Sequence, residues 1–110
     1  MRIISFSKKW KKLYRKEFTT FRFPRLDKDW YVGEEVQVWY KTRSPERESI
    51  CLAEIVSVES RGMFDISNEE AVADGFKDKY DMQAWLSKTH GTKKILANGL
   101  RINKLTLVRG

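Results

Sequence analysis

The sequence has few of the residues that build metal sites, disulfides and nucleophilic triads. It contains one cysteine and one histidine, Cys51 and His90, among 110 residues. A single cysteine excludes a disulfide within the chain, and one cysteine with one histidine gives no zinc-ligand spacing. Cys51 lies in the apolar run "ICLAEIVSV", which favours a buried, unreactive thiol. We therefore expect neither a metal nor another cofactor.

Long apolar runs are also missing. No stretch approaches the ~18 apolar residues of a membrane-spanning helix, and "MRIISF" is too short for the hydrophobic part of a signal peptide. Hydrophobic residues make up 41% of the chain and charged residues 34%, which is typical of folded rather than disordered proteins. The sequence predicts a single domain over residues 1–110, located in the cytoplasm, with no membrane partner.

Acidic residues are scarce at both ends of the chain. Residues 1–28 hold ten Lys or Arg and two acids, residues 29–81 hold six and thirteen, and residues 82–110 hold six and none. The net charge is +7, and basic ends that fold side by side would attract a phosphate backbone. This favours RNA or a nucleotide as the partner, with an acidic protein as the alternative. Abundant Lys and Glu with few Asn and Gln is also typical of a thermophile.

Alternating apolar residues predict about five or six strands. The candidate strands are "RIISFS", "KEFTTFRFP", "EEVQVWYK", "SICLAEIVSVES" and "LRINKLTLVR". The alternation of the last strand breaks near Lys104, which predicts a bulge or bend there.

Capping residues predict three helices. Ser7 precedes "KKWKKLYRKE", and the capping box "SNEE" opens a short helix that ends at Gly75. Asp78 precedes a third helix that ends at Gly91. Because no regular βαβ repeat is present, these elements predict an α+β fold with a curled, mainly antiparallel sheet and flanking helices. Closing that sheet into a β-barrel would remove its edges.

The first predicted helix carries much of the positive charge at the start of the chain. On a helical wheel Trp10, Leu13 and Tyr14 fall together, and six cations cover the opposite side. These cations are Lys8, Lys9, Lys11, Lys12, Arg15 and Lys16. The pattern predicts a surface for a polyanion or, as the alternative, a solvated helix face.

An arginine interrupts the apolar strand "KEFTTFRFP", residues 16–24. Alternation places Thr19, Phe21 and Phe23 on one face, and Thr20 and Arg22 on the other. If the phenylalanines enter a core, a hydroxyl and a fixed cation stand together on a surface or a cleft wall. The alternative is a half-exposed strand whose arginine pairs with a neighbouring acid.

The ends of the second and third predicted helices carry two titratable groups. Asp74 precedes Gly75, where free carbonyls are expected to raise its pKa, so it is a candidate general acid or base. The alternative is a solvated carboxylate that contacts Lys77 or the start of the third helix. His90 ends the third helix, a position that favours its protonated form. "THGTKK", residues 89–94, is expected to form a loop that grips a phosphate or points to solvent.

Four stretches resemble one known family: "IISFS", "YRKEFTTFRFP", "YVGEEVQV" and "EEAVADGFKDKYDMQAWLSKTHG". Together they cover nearly the whole chain, which resembles a stand-alone ASCH domain of the PUA-like superfamily and is similar to small archaeal members. The second stretch stands in place of the family signature Gly-x-Lys-x-x-(Thr or Glu)-x-Arg. The resemblance implies a PUA-like β-barrel with a cleft beside the signature strand, suited to RNA or modified nucleosides.

By position, the resemblance assigns functional roles to three residues. Arg22 matches the signature arginine, Thr20 matches the threonine two residues before it, and Asp74 falls on the catalytic carboxylate of the hydrolytic members. Glu17 stands where the signature lysine belongs, with Lys16 one residue earlier.

Two functional hypotheses follow. The first is an RNA- or nucleotide-binding module in which the basic helix, Arg22 and Arg25 bind the ligand. The second is a hydrolase that acts on RNA or on an acylated nucleoside such as N4-acetylcytidine, using Lys16, Thr20 and Asp74.

Overall fold

Five strands form one mixed sheet in the computed structural model, which describes residues 1–24, 27–97 and 99–110. They are β1 (Arg2–Phe6), β2 (Glu17–Arg22), β3 (Glu35–Tyr40), β4 (Glu48–Gly62) and β5 (Arg101–Arg109), in the sheet order β1-β3-β4-β5-β2. β1 runs parallel to β3, and the other three pairings are antiparallel. The predicted α+β class and mainly antiparallel sheet are confirmed. The sheet is not closed into a barrel, and β1 and β2 are its two edges.

Three helices accompany the sheet, and two of them begin and end as the capping residues predict. They are α1 (Asn68–Asp74), α2 (Lys79–His90) and α3 (Thr92–Ala97). The Ser67 hydroxyl accepts a hydrogen bond from the Glu70 amide at 3.1 Å, and the Glu70 carboxylate accepts one from the Ser67 amide at 3.2 Å. α1 then ends at Gly75, whose φ of 111° lies in the left-handed region that glycine favours.

The helix predicted over the first basic stretch does not form. Only residues Lys11–Tyr14 are helical there, as a single 3₁₀ turn without a side-chain cap. Like charges three and four residues apart destabilise a helix, and Lys12 turns inward, where it is 4% exposed. The predicted cationic surface therefore loses Lys12. The cations of this stretch that remain exposed are Lys8, Lys9, Lys11, Arg15 and Lys16.

The sheet is bulged on β4 rather than on β5. Val56 is the extra residue, because the pairing with β5 shifts between Ile55 and Ser57. The pairing of β5 with β2 runs without a shift through Lys104. Of the bulge or bend predicted near Lys104, the bulge is wrong, because Lys104 pairs in register with both neighbouring strands and the shift of the β4–β5 pair lies at Val56.

Both faces of β2 are covered by apolar side chains. Phe18 belongs to one buried cluster, together with side chains of β1, β3, β4 and β5. Phe21 and Phe23 belong to a second buried cluster, which includes side chains of all three helices. Trp10 packs against both clusters. Side chains on either face of β2 thus lie inside the protein, including the polar ones between the phenylalanines.

Candidate functional site

A cleft of about 760 Å³ lies between the two edge strands. Its wall includes parts of β1 and β2, the end of α1, the second half of α2, and the turn that follows β3. This volume is within the usual range of ligand pockets. Among the described residues, five cations line the cleft: Lys12, Arg22, Lys41, Arg43 and Lys94. Seven aromatic rings line it as well: Phe6, Trp10, Phe21, Phe23, Trp30, Phe76 and Trp85.

The Arg22 side chain spans the gap between the edge strands. Its Nη2 donates to the Ser5 carbonyl on β1 at 3.0 Å, and its Nε donates to the Thr20 hydroxyl at 3.2 Å. The guanidinium also lies 4.6 Å from the centroid of the Phe6 ring. Loss of hydration lowers the pKa of Arg22 to about 10, although Asp74 opposes the change. Arg22 therefore stays positive at neutral pH.

A buried ion pair forms part of the cleft wall. Lys12 Nζ lies 2.8 Å from Asp74 Oδ1, and the two side chains are 3% and 5% exposed. Lys12 also donates to the Thr19 carbonyl at 2.7 Å, and the Thr19 hydroxyl donates to the same Asp74 oxygen at 3.0 Å. Three polar groups from distant parts of the chain thus satisfy one another within an apolar surrounding.

Burial controls the protonation of this pair. It raises the pKa of Asp74, while Lys12, the Thr19 hydroxyl and Arg22 act in the opposite direction. Burial also lowers the pKa of Lys12, with Asp74 opposing. The raised pKa of Asp74 agrees with the sequence-based expectation in direction, but its main cause is burial rather than the end of a helix. The alternative prediction, a solvated Asp74 carboxylate in contact with Lys77, is wrong.

Lys12, not Lys16, is the lysine beside the carboxylate. Lys16 is exposed and lies outside the cleft lining, and its carbonyl accepts a hydrogen bond from the Arg109 amide at 2.7 Å. Lys12 precedes it by four residues and reaches Asp74 from the 3₁₀ turn. The structure therefore separates Lys16 from Thr20 and Asp74, the other two predicted catalytic residues.

The two threonines of β2 have different partners. Thr20 and Asp74 both line the cleft, as the sequence predicts for members of one site. The hydroxyl that contacts Asp74 belongs to Thr19, however, and the Thr20 hydroxyl accepts from Arg22. The difference arises because the two residues point to opposite faces of a strand that is buried on both.

The other predicted RNA contacts that belong to the described residues lie outside the cleft lining. Lys8 Nζ sits 4.5 Å from the centroid of Trp10, which is a cleft residue. Lys9 pairs with Glu48 at 2.7 Å in an exposed ion pair. Lys11, Arg15 and Lys16 are exposed. Arg25 falls outside the described residues.

The sequence reasoning missed the turn after β3. Lys41, Thr42, Arg43 and Ser44 line the cleft in succession. The only sequence signal was the polar run "KTRS" directly after an alternating strand. This turn lies in the acidic middle of the chain, so the counts of charge per segment pointed away from it.

The predicted loop at residues 89–94 is largely helical. It forms the end of α2 and the start of α3, and Thr89, His90 and Lys94 line the cleft. The His90 ring packs edge-on against Phe23, with centroids 4.8 Å apart. Partial burial lowers the pKa of His90, and Lys94 and Arg22 lower it further. This direction is opposite to the one expected from the position of His90 at the end of a helix.

Within residues 1–24, 27–97 and 99–110, no group of three or more His, Cys, Asp or Glu side chains is placed to hold a metal ion. In the same ranges, no helix is long and apolar enough to cross a membrane.

The chain matches no family model, no curated protein and no solved structure. The geometry of the cleft therefore carries the functional argument.

Proposed function

We propose that the protein binds RNA, through an unpaired nucleotide or a strand end, or a free nucleotide, in the cleft centred on Arg22. The observation that carries the proposal is the lining itself, which combines five cations with seven aromatic rings. Asp74 is the one acid among the described lining residues, and Lys12 already neutralises it. Cations bind phosphates and aromatic rings stack on bases, so a nucleotide suits both parts of the cleft.

Trp10 and Trp85 are the rings best placed to stack on a base. Both are half-buried, whereas Phe21, Phe23 and Phe76 are each less than 10% exposed. Trp10 and Trp85 pack edge to face, with centroids 5.8 Å apart. A flat base entering the cleft can therefore lie against one ring and contact the edge of the other.

The fold of this module is proposed to be that of a small cytoplasmic ASCH domain in the PUA-like superfamily. Support comes from the cleft beside β2, the strand that resembles the family signature. The Arg22 side chain links the two edge strands of the sheet. Such a link would be expected in a PUA-like barrel whose edge strands are not joined by backbone hydrogen bonds.

Hydrolysis of RNA or of an acylated nucleoside is the second candidate function, and the buried Lys12–Asp74 pair favours it. A carboxyl group with a raised pKa can take up and return a proton, and a neighbouring lysine can stabilise an oxyanion. Thr20 would be the nucleophile or hydrogen-bond donor. The lysine of this candidate catalytic site is Lys12, and not Lys16 as the sequence predicted.

Amide chemical shifts measured during titration with a random-sequence RNA tetramer test the binding function. We expect changes at Arg22, at residues 41–44 and at the Trp85 indole, with affinity that falls steeply as salt is added. Changes confined to the exposed cations Lys8, Lys9, Lys11, Arg15 and Lys16, or no changes, would overturn the proposal.

Turnover of N4-acetylcytidine and of labelled RNA tests the second function. If the protein hydrolyses either substrate, Lys12→Met and Asp74→Asn should abolish turnover, whereas Lys16→Met should retain it. Hydrolysis that survives Asp74→Asn would exclude this site, and no turnover on either substrate would exclude both reactions.

A further inference from the structure

The turn after β3 has the composition of an anion subsite. We define the 41–44 turn by its four residues, Lys41, Thr42, Arg43 and Ser44, all of which line the cleft. Ser44 N donates to the Lys41 carbonyl at 2.9 Å, and Lys41 has a positive φ of 45°. The turn thus presents two cations and two hydroxyls and contains no acid, although Lys41 Nζ lies 3.2 Å from Oε2 of Glu46, just beyond the turn, in an exposed ion pair.

The Thr42 hydroxyl has no hydrogen-bond partner within the described residues. Its Oγ1 is buried, although the residue itself is half-buried and lines the cleft. A buried hydroxyl without a partner is costly. Rotation about χ1 to another staggered position moves the hydroxyl, and an oxyanion in the cleft would give it an acceptor.

Ser5 connects the 41–44 turn to Arg22. The Ser5 carbonyl accepts from Arg22 Nη2 at 3.0 Å, and the Ser5 hydroxyl accepts from the Thr42 amide at 3.3 Å. Ser5 therefore places the 41–44 turn beside the Arg22 guanidinium, which carries a positive charge. This arrangement adds a third cation, held in place by its hydrogen bonds, to the two of the turn.

We propose that the 41–44 turn binds a terminal phosphate monoester, so that the preferred ligand is an RNA or nucleotide with a phosphorylated end. The inference rests on the proposed binding function and specifies its ligand. Arg43 offers a planar fork of donors, Lys41 offers a point charge and Thr42 offers a hydroxyl. A monoester carries more negative charge than the diester linkages of the chain, so it gains most from this group of donors.

Three versions of one random-sequence RNA tetramer pool test the inference: 5′-phosphorylated, 3′-phosphorylated and with hydroxyls at both ends. Dissociation constants are measured at low salt, above the phosphate pKa, for the unaltered protein and three variants. Thr42→Val and Arg43→Gln remove donors from the turn. Arg47→Gln is the control, because Arg47 is exposed, lies three residues beyond the turn and is outside the cleft lining.

We expect one of the two phosphorylated pools to bind about tenfold more tightly than the hydroxyl pool. Which pool it is identifies the end that is recognised. Arg43→Gln and Thr42→Val should each reduce this preference, the ratio of the affinities for the phosphorylated and hydroxyl pools, at least about threefold beyond any loss of affinity for the hydroxyl pool itself. Arg47→Gln should leave the preference intact.

The outcomes separate the two proposals. Equal binding of all three pools overturns the phosphate subsite and leaves the proposed binding function standing. A preference that persists in both turn variants also overturns the subsite. Absence of binding by every pool overturns the binding function together with the inference.

Discussion

The guanidinium of Arg22 donates a hydrogen bond to the carbonyl of Ser5 across 3.0 Å and thereby joins the two edge strands of the sheet. Edge strands expose unpaired backbone groups. A side chain from one edge here satisfies a carbonyl of the other, while the space around it remains open as the cleft. The arginine within an otherwise apolar strand thus has a structural role and also places a positive charge in the candidate site.

Replacing Arg22 by lysine should weaken the link between the edges. Lysine cannot reproduce the planar pair of donors that reaches both Thr20 and Ser5. We expect the free energy of unfolding to fall by about 2 kcal/mol, together with faster hydrogen exchange of the β1 amides. Urea denaturation and native-state exchange measure both effects.

Arg101→Lys provides the matched control. Arg101 donates through Nε and Nη2 to the hydroxyl and carbonyl of Ser60, both at 3.1 Å, but on the exposed surface. We expect this change to cost less than about 0.5 kcal/mol. Equal losses in the two variants would mean that the bridge between the edges has no special role.

Removing the lysine of the buried pair should destabilise the fold in a manner that depends on pH. Lys12→Met leaves Asp74 buried without its ion-pair partner, at a cost of about 3 kcal/mol near pH 7. The folded-state pKa of Asp74 is already above the ordinary value of 3.8, and it rises further in the variant. Because the folded protein then holds a proton that the unfolded chain releases, stability falls as pH increases through this window.

Urea denaturation of Lys12→Met between pH 4 and pH 8 measures the effect. We expect the variant to regain stability on acidification, and the double variant Lys12→Met/Asp74→Asn to lose this dependence and recover at least half of the loss. A deficit that is constant with pH would show that lost packing, rather than an unpaired charge, is responsible.

Gly75→Ala should disturb both α1 and the cleft. A Cβ at Gly75 would lie 2.7 Å from Cε3 of Trp10, and the φ of 111° is unfavourable for alanine. We expect a loss of about 2 to 3 kcal/mol in unfolding free energy and weaker RNA binding. Gly33→Ala is the control, because Gly33 also has a positive φ, of 93°, but no atom lies within 4 Å of its added Cβ. Gly33→Ala should lower the free energy of unfolding by about 1 kcal/mol and leave RNA binding unchanged. Equal effects of the two variants on binding would show that Trp10 does not contribute to it.

RNA affinity should rise as pH falls through the titration of His90. Its ring contacts Phe23, and its pKa is lowered from 6.5 first by burial and then by the positive charges of Lys94 and Arg22. Protonation adds a positive charge to the cleft, so an anionic ligand favours the protonated form. We expect affinity to increase as the pH is lowered below 6.5, measured with RNA that has hydroxyl ends so that no phosphate monoester titrates. His90→Asn should flatten the profile, and an unchanged profile in this variant would place the titrating group elsewhere.

Features encoded by neighbouring residues could be predicted from the sequence. The capping box at Ser67, the left-handed end at Gly75 and the cap at Asp78 are interactions within a few residues, and each is present. The strands also follow from alternation, because one side of each faces the core. The predicted convergence of Thr20, Arg22 and Asp74 on one cleft came from a family resemblance together with alternation.

Features that depend on distant partners could not be predicted. Lys12 is buried rather than exposed on the predicted helix face, because Asp74, which is distant in the sequence, is its buried ion-pair partner. Helical periodicity cannot detect such a contact. The hydrogen bond from Thr19 to Asp74 could not be predicted, because alternation places Thr19 on a face that packs into an apolar core. The buried Asp74 carboxylate lies within that core. The 41–44 turn enters the cleft only because β3 pairs with β1, which local sequence does not reveal.

Two triple variants with the same loss of charge test the central claim most directly. The cleft variant changes Lys41, Arg43 and Lys94 to Gln, and the surface variant changes Lys8, Lys11 and Arg15 to Gln. We measure the dissociation constant of a single-stranded RNA as a function of salt for both. The account predicts that the cleft variant loses about a hundredfold in affinity at low salt. The slope of its log affinity against log salt concentration should become shallower by an amount that corresponds to roughly two to three fewer released counterions. The surface variant should stay within about threefold of the unaltered protein. An equal or greater loss in the surface variant would contradict the account.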